Sequence, residues 1–209
     1  MTTADVSDAL PAVRDPERLA ALRSTGLLDS DAEESFDRMT RLAVLLLRVP
    51  AAFISLVDED RDFYKSAHGF AEPLRSERQM TGRTFCHYAI SSTGPLVIDD
   101  ARADPVYSTV PTVESLGVAA YVGVPLTGPE GHVIGSFCAI DHSPRQWTPE
   151  EVEILAELAA SARREIELRT RAREAEAQSE RLHALATELS IQVQENRALA
   201  EALREARVA

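Results

Sequence analysis

Residues 117–141 read GVAAYVGVPLTGPEGHVIGSFCAID, Gly117 through Asp141. Two runs rich in Val, Ile, Phe and Tyr flank a polar break, Thr127-Gly128-Pro129-Glu130-Gly131-His132, and that pattern predicts an antiparallel hairpin. Alternation places Val122, Val124 and Leu126 on one face of the first strand. On the second it places Val133, Phe137 and Ala139 together, with Ile134, Cys138 and Ile140 opposite. Neither face is polar. A strand apolar on both sides needs cover on both, so this hairpin belongs in the middle of a sheet between two layers.

The flanking segments supply those layers. Asp15-Pro16-Glu17-Arg18 reads as a capped helix start with Leu19 and Leu22 on its apolar side, ended by Gly26. Ser30-Asp31 is expected to cap a longer helix carrying Phe36, Met39, Leu42, Ala43, Leu46 and Leu47, which Pro50 stops. Ala51–Asp58 and Arg61–Gly69 read as paired strands. Residues 71–82 show no periodicity and are expected to be an irregular connection. A short helix over Thr84–Ser91, a strand over Leu96–Asp99 and a long loop with a turn or two of helix over Asp100–Gly117 precede the hairpin. The order predicts an α+β fold around a five- or six-stranded antiparallel sheet.

Thr148-Pro149-Glu150-Glu151 is a capping box opening the last helix, and no Gly or Pro interrupts the chain from there on. Val152, Leu155, Ala159, Ala162 and Ile166 form a first apolar seam. A second, Leu182, Leu185, Leu189, Gln192, Asn196, Leu199 and Leu203, alternates three and four apart, the spacing of a coiled coil. The seams are out of phase across residues 167–181, which suggests a handover from packing on the sheet to packing on a second copy, taken as parallel. Asn196 is the protein's one asparagine and stands on the seam, where a polar residue selects register and a two-stranded state. The expected organisation is a disordered 1–14, a compact domain over 15–169 and a coiled-coil helix over 170–209.

Composition narrows the class. The 209 residues carry a formal net charge of -12, which argues against nucleic acid as a partner. No apolar run nears the ~20 residues of a membrane span, and the start lacks the basic-then-apolar pattern of a secretory signal. Two cysteines, Cys86 and Cys138, make no disulfide framework, so a cytoplasmic setting is expected.

The pieces VPAAFISLVDEDRDFYKSAHG, TFCHYAI, PLVIDDARADP, YVGVPL and GSFCAID followed by WTPEEVEILAELA together resemble a bacterial GAF domain over about residues 15–169. The resemblance implies a central antiparallel sheet with helices on one face and a ligand pocket under loops on the other. It also implies a sensory or dimerising role, with an outgoing helix that passes a signal on. It does not fix the ligand. The Asn-Lys-Phe-Asp-Glu signature of the cyclic-nucleotide branch is absent. Cys86-His87 mimics the bilin-attachment dipeptide without its usual surroundings. His68, His87, His132 and His142 are too scattered for haem, and no cofactor is assigned. Asp99, Asp100 and Asp104 read as turn residues, with no metal. His183 lacks the His-Glu and Pro-ended turn of a kinase phosphoacceptor.

The expectation is therefore a non-catalytic sensory or scaffold module, with Phe85, His87, Tyr107 and Tyr121 as pocket-lining candidates for a small-molecule ligand. Its partners would be a second copy through the C-terminal helix and a separate output protein: kinase, phosphatase, cyclase or regulator. The alternative is a thiol-based redox enzyme or sensor of the free methionine sulfoxide reductase type, using Cys86 and Cys138.

Overall fold

A computed structural model describes residues 11–128 and 131–206, without the side chains at 199–201 and 205. The first described element is one turn of 3-10 helix, Pro11–Arg14, with Val13 buried. Order therefore begins by residue 11, inside the stretch expected to be disordered; residues 1–10 lie outside the described residues. What holds that turn is Arg18. Its guanidinium donates to the carbonyls of Ala12, Val13 and Val57, tying the N-terminal turn to the end of the first strand.

Helix α1 (Pro16–Ser24) starts where the sequence says: Asp15 Oδ1 accepts from the N–H groups of Glu17 and Arg18. Helix α2 (Glu34–Leu47) starts later than expected, after Glu33 and without a side-chain cap. Ser30 and Asp31 are used otherwise. Lys65 Nζ donates to Ser30 Oγ at 2.8 Å and to the Asp31 carbonyl at 2.6 Å, and pairs with Glu33. The ammonium thus takes the Ser30 hydroxyl and the Asp31 main-chain carbonyl, and the helix begins three residues further on.

Strands β1 (Ala51–Val57), β2 (Arg61–His68), β3 (Gln79–Thr81), β4 (Leu96–Ile98), β5 (Ala120–Thr127) and β6 (Val133–Asp141) form one antiparallel sheet in the order β3-β2-β1-β6-β5-β4. The segment expected to be irregular supplies a short helix α3 (Leu74–Glu77) and the edge strand β3. Three residues are too few to show alternation. The predicted hairpin is β5–β6, closed by Gly128 N–H donating to His132 O; its tip residues Pro129 and Glu130 lie outside the described residues.

Two bulges change which side chains share a face. Between Leu126↔Gly135 and Thr127↔Val133 the register skips Ile134, so alternation flips there. Ile134 joins Phe137 and Ala139 under the helices, and Val133 joins Cys138 and Ile140 on the other side. This reverses the expected placement of Val133 and Ile134. Between Ile54↔Ser66 and Ser55↔Tyr64 the extra residue is Lys65. The bulge turns Lys65 and Ser66 to the same side, where Ser66 Oγ meets Thr40 Oγ1 at 2.8 Å and donates to Asp37.

One face of the sheet is covered by α1, α2 and the opening turns of α6 (Pro149–Ala206), packing Leu22, Phe36, Ala43, Leu155, Ala159 and Ile166 on it. The capping box of α6 forms: Glu151 N–H donates to Thr148 Oγ1 at 3.2 Å, and Thr148 N–H to Glu151 Oε2 at 2.9 Å. The other face is covered by helices α4 (Phe85–Ala89) and α5 (Pro111–Ser115) and the loops around them. The described chain divides into two compact units, one through Leu168 and one from Arg169. The second unit is helical through Ala206, with Leu182, Leu185, Leu189, Asn196 and Leu203 exposed. The side chain of Leu199 is outside the described set.

Candidate functional site

The loop-covered face holds the site, and α4 is its centre. Thr84 caps α4 by accepting from Cys86 N–H at 3.1 Å, and its own hydroxyl donates to Asp62 Oδ2. Asp62 comes from β2 and is fully buried. His87 Nε2 stands 3.2 Å from Asp62 Oδ1, but off the direction a hydrogen bond needs. Asp62 and Thr84 thus lock the start of α4 to the sheet. His87 lies against that lock rather than in a cavity.

Beyond it, α4 presents Phe85 and Cys86 to the sheet. Phe85 stacks on Tyr121 of β5, with ring centroids 5.0 Å apart. The Tyr121 ring lies back over Gly123, where a Cβ would meet its hydroxyl at 2.2 Å. That hydroxyl and Ser136 Oγ each stand 3.0 Å from Cys138 Sγ, and Cys86 Sγ is 3.9 Å away from the same sulfur. Tyr107 packs one layer further out, on Phe85 and on Tyr88.

Two spaces adjoin this cluster. The inner one, about 20 Å³, is lined by Phe53, Tyr64, Phe85, Cys86, Tyr121 and Ile140 among others. That is the volume of one water. The outer one, a cleft of about 370 Å³, lies along α3, β3, Arg83 and α5. Thr112 and Leu116 belong to the walls of both. Thr112 Oγ1 is buried with no hydrogen-bond partner among the described residues. Of the four candidates from sequence, Phe85 and Tyr121 line the inner space; Tyr107 backs Phe85, and His87 sits beside Asp62. Sequence reasoning missed Asp62, Thr112 and Leu116. None belongs to a spacing pattern; the packing of α4 against β2 and the short α5 bring them in.

Burial sets the chemistry. It pushes the Cys86 thiol well above its ordinary 9.0, with Cys138 beside it acting in the same direction. It likewise holds the hydroxyls of Tyr64 and Tyr121 well above 10.0. A thiol kept protonated is a poor nucleophile. Below pH 9.0 these groups are protonated in folded and unfolded chains alike, and their contribution to stability is whole. Above it the unfolded chain releases protons that the folded chain keeps, so stability falls as pH rises. Lys65 opposes this: burial lowers it to about 8, so its penalty eases toward 10.5. Near pH 9 Lys65 offsets the Cys86 thiol, and only toward pH 10, where both tyrosines also titrate in the unfolded chain, do three groups act against one. Urea midpoints should decline from about pH 10 upward, and Tyr64→Phe should flatten that decline.

The acids of the 99–104 segment serve the backbone. Asp100 Oδ1 accepts from Arg102 and Ala103 N–H, Asp104 Oδ1 from Val106 and Tyr107 N–H, and Asp99 Oδ1 from Trp147 N–H. His183 is exposed on the second unit, its Nδ1 2.8 Å from Ser179 O. Among the described residues no helix is long and apolar enough to cross a membrane.

Comparison with known proteins agrees with this architecture. The family model described as GAF domain matches residues 31–166. A cyclic di-GMP phosphodiesterase of Pseudomonas aeruginosa is 33% identical over 129 residues, which make up 61% of this chain and 21% of that protein. This chain therefore matches about a fifth of that relative. Among solved structures, the blue-light absorbing form of the Thermosynechococcus elongatus PixJ GAF domain superposes with a TM-score of 0.54 at 20% identity, over 79% of this chain and 96% of that one. Free methionine-R-sulfoxide reductase of Neisseria meningitidis, in complex with its substrate, gives 0.52 at 20%, over 74% and 89%. At such identities these likenesses concern the fold.

Proposed function

This chain belongs to the GAF domain family, and from that premise we propose that it is a non-catalytic sensory module of a bacterial signalling system. A small molecule would bind under α5, and two copies paired through the C-terminal helix would relay the change. The observation that carries this reading is the wall shared by the two spaces. Thr112 and Leu116 line both the narrow, ring-lined inner space and the wider outer cleft. A ligand larger than water fits beside Phe85 and Tyr121 only if a wall of that space moves; α5, whose Thr112 and Leu116 line both spaces, would be that wall, coupling occupancy to its position. Such a ligand shifts a population only through unequal affinity for the two states. The relative's name suggests that the output concerns cyclic di-GMP turnover.

The thiol alternative rests on Cys86 and Cys138 standing 3.9 Å apart. Against it weigh their complete burial and the raised Cys86 thiol, where an attacking sulfur needs exposure and thiolate character. Native protein should leave both thiols unreactive toward Ellman's reagent and release two equivalents only on unfolding.

The test begins with thermal-shift screening of free amino acids, methionine sulfoxide and mononucleotides, then hydrogen exchange with any compound that raises Tm. A sensor shows added protection at Pro111–Leu116 and at residues 182–203 together. Protection confined to Pro111–Leu116 would remove the relay. Turnover of methionine sulfoxide with dithiothreitol, lost in Cys86→Ser, would overturn the non-catalytic reading.

A further inference from the structure

Between α2 and β2 the packing turns polar. Helix α2 buries Phe36, Met39, Ala43 and Leu47, yet on the same side it also buries Thr40, and β2 sets Ser66 against it; these two are 1% and 2% exposed. Thr40 Oγ1 stands 2.8 Å from Ser66 Oγ, which donates to Asp37 Oδ1 at 2.6 Å. The bulge at Lys65 aims Ser66 this way, and alternation carries His68, two residues on, to the same side. Bulges that re-aim side chains in this manner are common beside binding sites.

These hydroxyls line a cleft of about 260 Å³ whose walls also carry Asp37, Arg41, His68, Arg75 and Arg78. It shares no lining residue with the two spaces around Thr112. Arg78 is the fixed member. Its Nε, Nη1 and Nη2 donate to the carbonyls of Tyr64, Ser30 and Lys65 at 3.3, 3.1 and 2.8 Å, and its guanidinium lies 5.0 Å over the Phe63 ring. Those three bonds leave N–H groups to spare, since a guanidinium has five donors. Arg75 meets Glu72 through Nε, and Arg41 meets Glu34 through both Nη atoms. All four of these side chains are exposed, and such pairs hold weakly enough for another anion to replace the glutamate. The cleft thus sets three guanidinium groups against one lining carboxylate, in a chain of net charge -12.

We propose that this cleft is a second ligand site, on the helix-covered side of β2, and that it takes a small phosphate monoester. Guanidinium groups recognise oxyanions through paired N–H donors. Here they come from three separate places, α2, α3 and the residue that ends α3. A phosphate group offers three oxygens to donors arriving from different directions, whereas one guanidinium already satisfies a planar carboxylate. Asp37 sets the rest of the ligand. It repels a bare anion and accepts from a hydroxyl, so the phosphate is carried by a molecule with a neighbouring donor, such as a sugar. The site is independent of the ligand reading under Proposed function.

Amide NMR of the full chain, titrated with inorganic phosphate, ribose 5-phosphate and acetate, tests it. Ribose 5-phosphate should move the resonances of Thr40, Ser66 and Arg78, leave Thr112–Leu116 still, and bind more tightly than inorganic phosphate, with acetate weakest. Arg75→Gln should weaken it roughly tenfold or more, as loss of a charge-assisted hydrogen bond does. Arg38→Gln, exposed on α2 outside the cleft, is the control and should change nothing. Asp37→Asn should tighten inorganic phosphate and narrow the preference for the sugar phosphate. No movement at Thr40, Ser66 and Arg78 with any of the three overturns the site. Equal weakening by Arg75→Gln and Arg38→Gln means a diffuse field and also overturns it. Acetate or inorganic phosphate binding as tightly as ribose 5-phosphate overturns the monoester assignment. Movement at Thr112–Leu116 alone overturns the second site and supports the first.

Discussion

Replacing Gly135 with alanine should cost roughly 3–4 kcal/mol of folding stability, at the upper end of what overpacking does to a core. A Cβ at that position would stand 2.0 Å from the carbonyl oxygen of Ser55 and 3.0 Å from the Leu56 Cα. Both belong to the backbone of β1, which pairs with β6 through Leu56↔Gly135. A flexible side chain would swing aside; a central strand held on both edges has nowhere to go. Gly135 is also where the β5–β6 register shifts past Ile134. The new methyl would therefore push on the bulge that sends Ile134 under the helices. The check is a urea melt: the midpoint should fall with the slope unchanged. Gly131→Ala at the hairpin turn is a useful companion, since its Cβ would meet nothing within 4 Å and its penalty comes from φ +85 alone. A Gly135→Ala protein with a midpoint at or above that of Gly131→Ala would refute the close-approach account.

The second large effect is expected at Thr84. Its hydroxyl donates to Asp62 and accepts from Cys86 N–H, so Thr84→Val removes a helix cap and leaves a fully buried carboxyl without that donor. A lost cap costs about 1 kcal/mol, and a stranded buried charged group a further 2–3 or so. The sum is roughly 3–4 kcal/mol. Asp62→Leu in the Thr84→Val background should restore part of this, because the group left unsatisfied is then gone. The double-mutant cycle should show a coupling of about 1–2 kcal/mol between the two positions. Strict additivity would mean that Thr84 and Asp62 act independently, and that α4 is held in place by Phe85 packing alone. The same lock bears on the proposed ligand site. With α4 fixed to β2 by Thr84 and Asp62, the wall proposed to move is α5, whose Thr112 hydroxyl has no hydrogen-bond partner among the described residues.

The sequence by itself determined the elements whose causes are local. Asp15 and the Thr148–Glu151 box announced their helices because a cap is a matter of a few neighbouring residues. The β5–β6 hairpin was legible because two long apolar runs with Gly and Pro between them have few other ways to fold. The GAF family was legible because several short motifs occur in the right order.

Tertiary structure alone decided the rest. Ser30 and Asp31 were good caps on paper, yet the helix starts after Glu33, and Lys65, drawn inside by a bulge in β2, bonds to the Ser30 hydroxyl and the Asp31 main-chain carbonyl. Val133 and Ile134 exchanged faces because one skipped residue in a ladder reverses every side chain on the turn side of it. Phe85 stacks on Tyr121, whereas His87 stands beside Asp62, a residue 25 positions earlier. Partners so far apart leave no periodic trace in the sequence. They meet only when β2 and α4 are packed together, and that packing also closes the inner space to the volume of a single water.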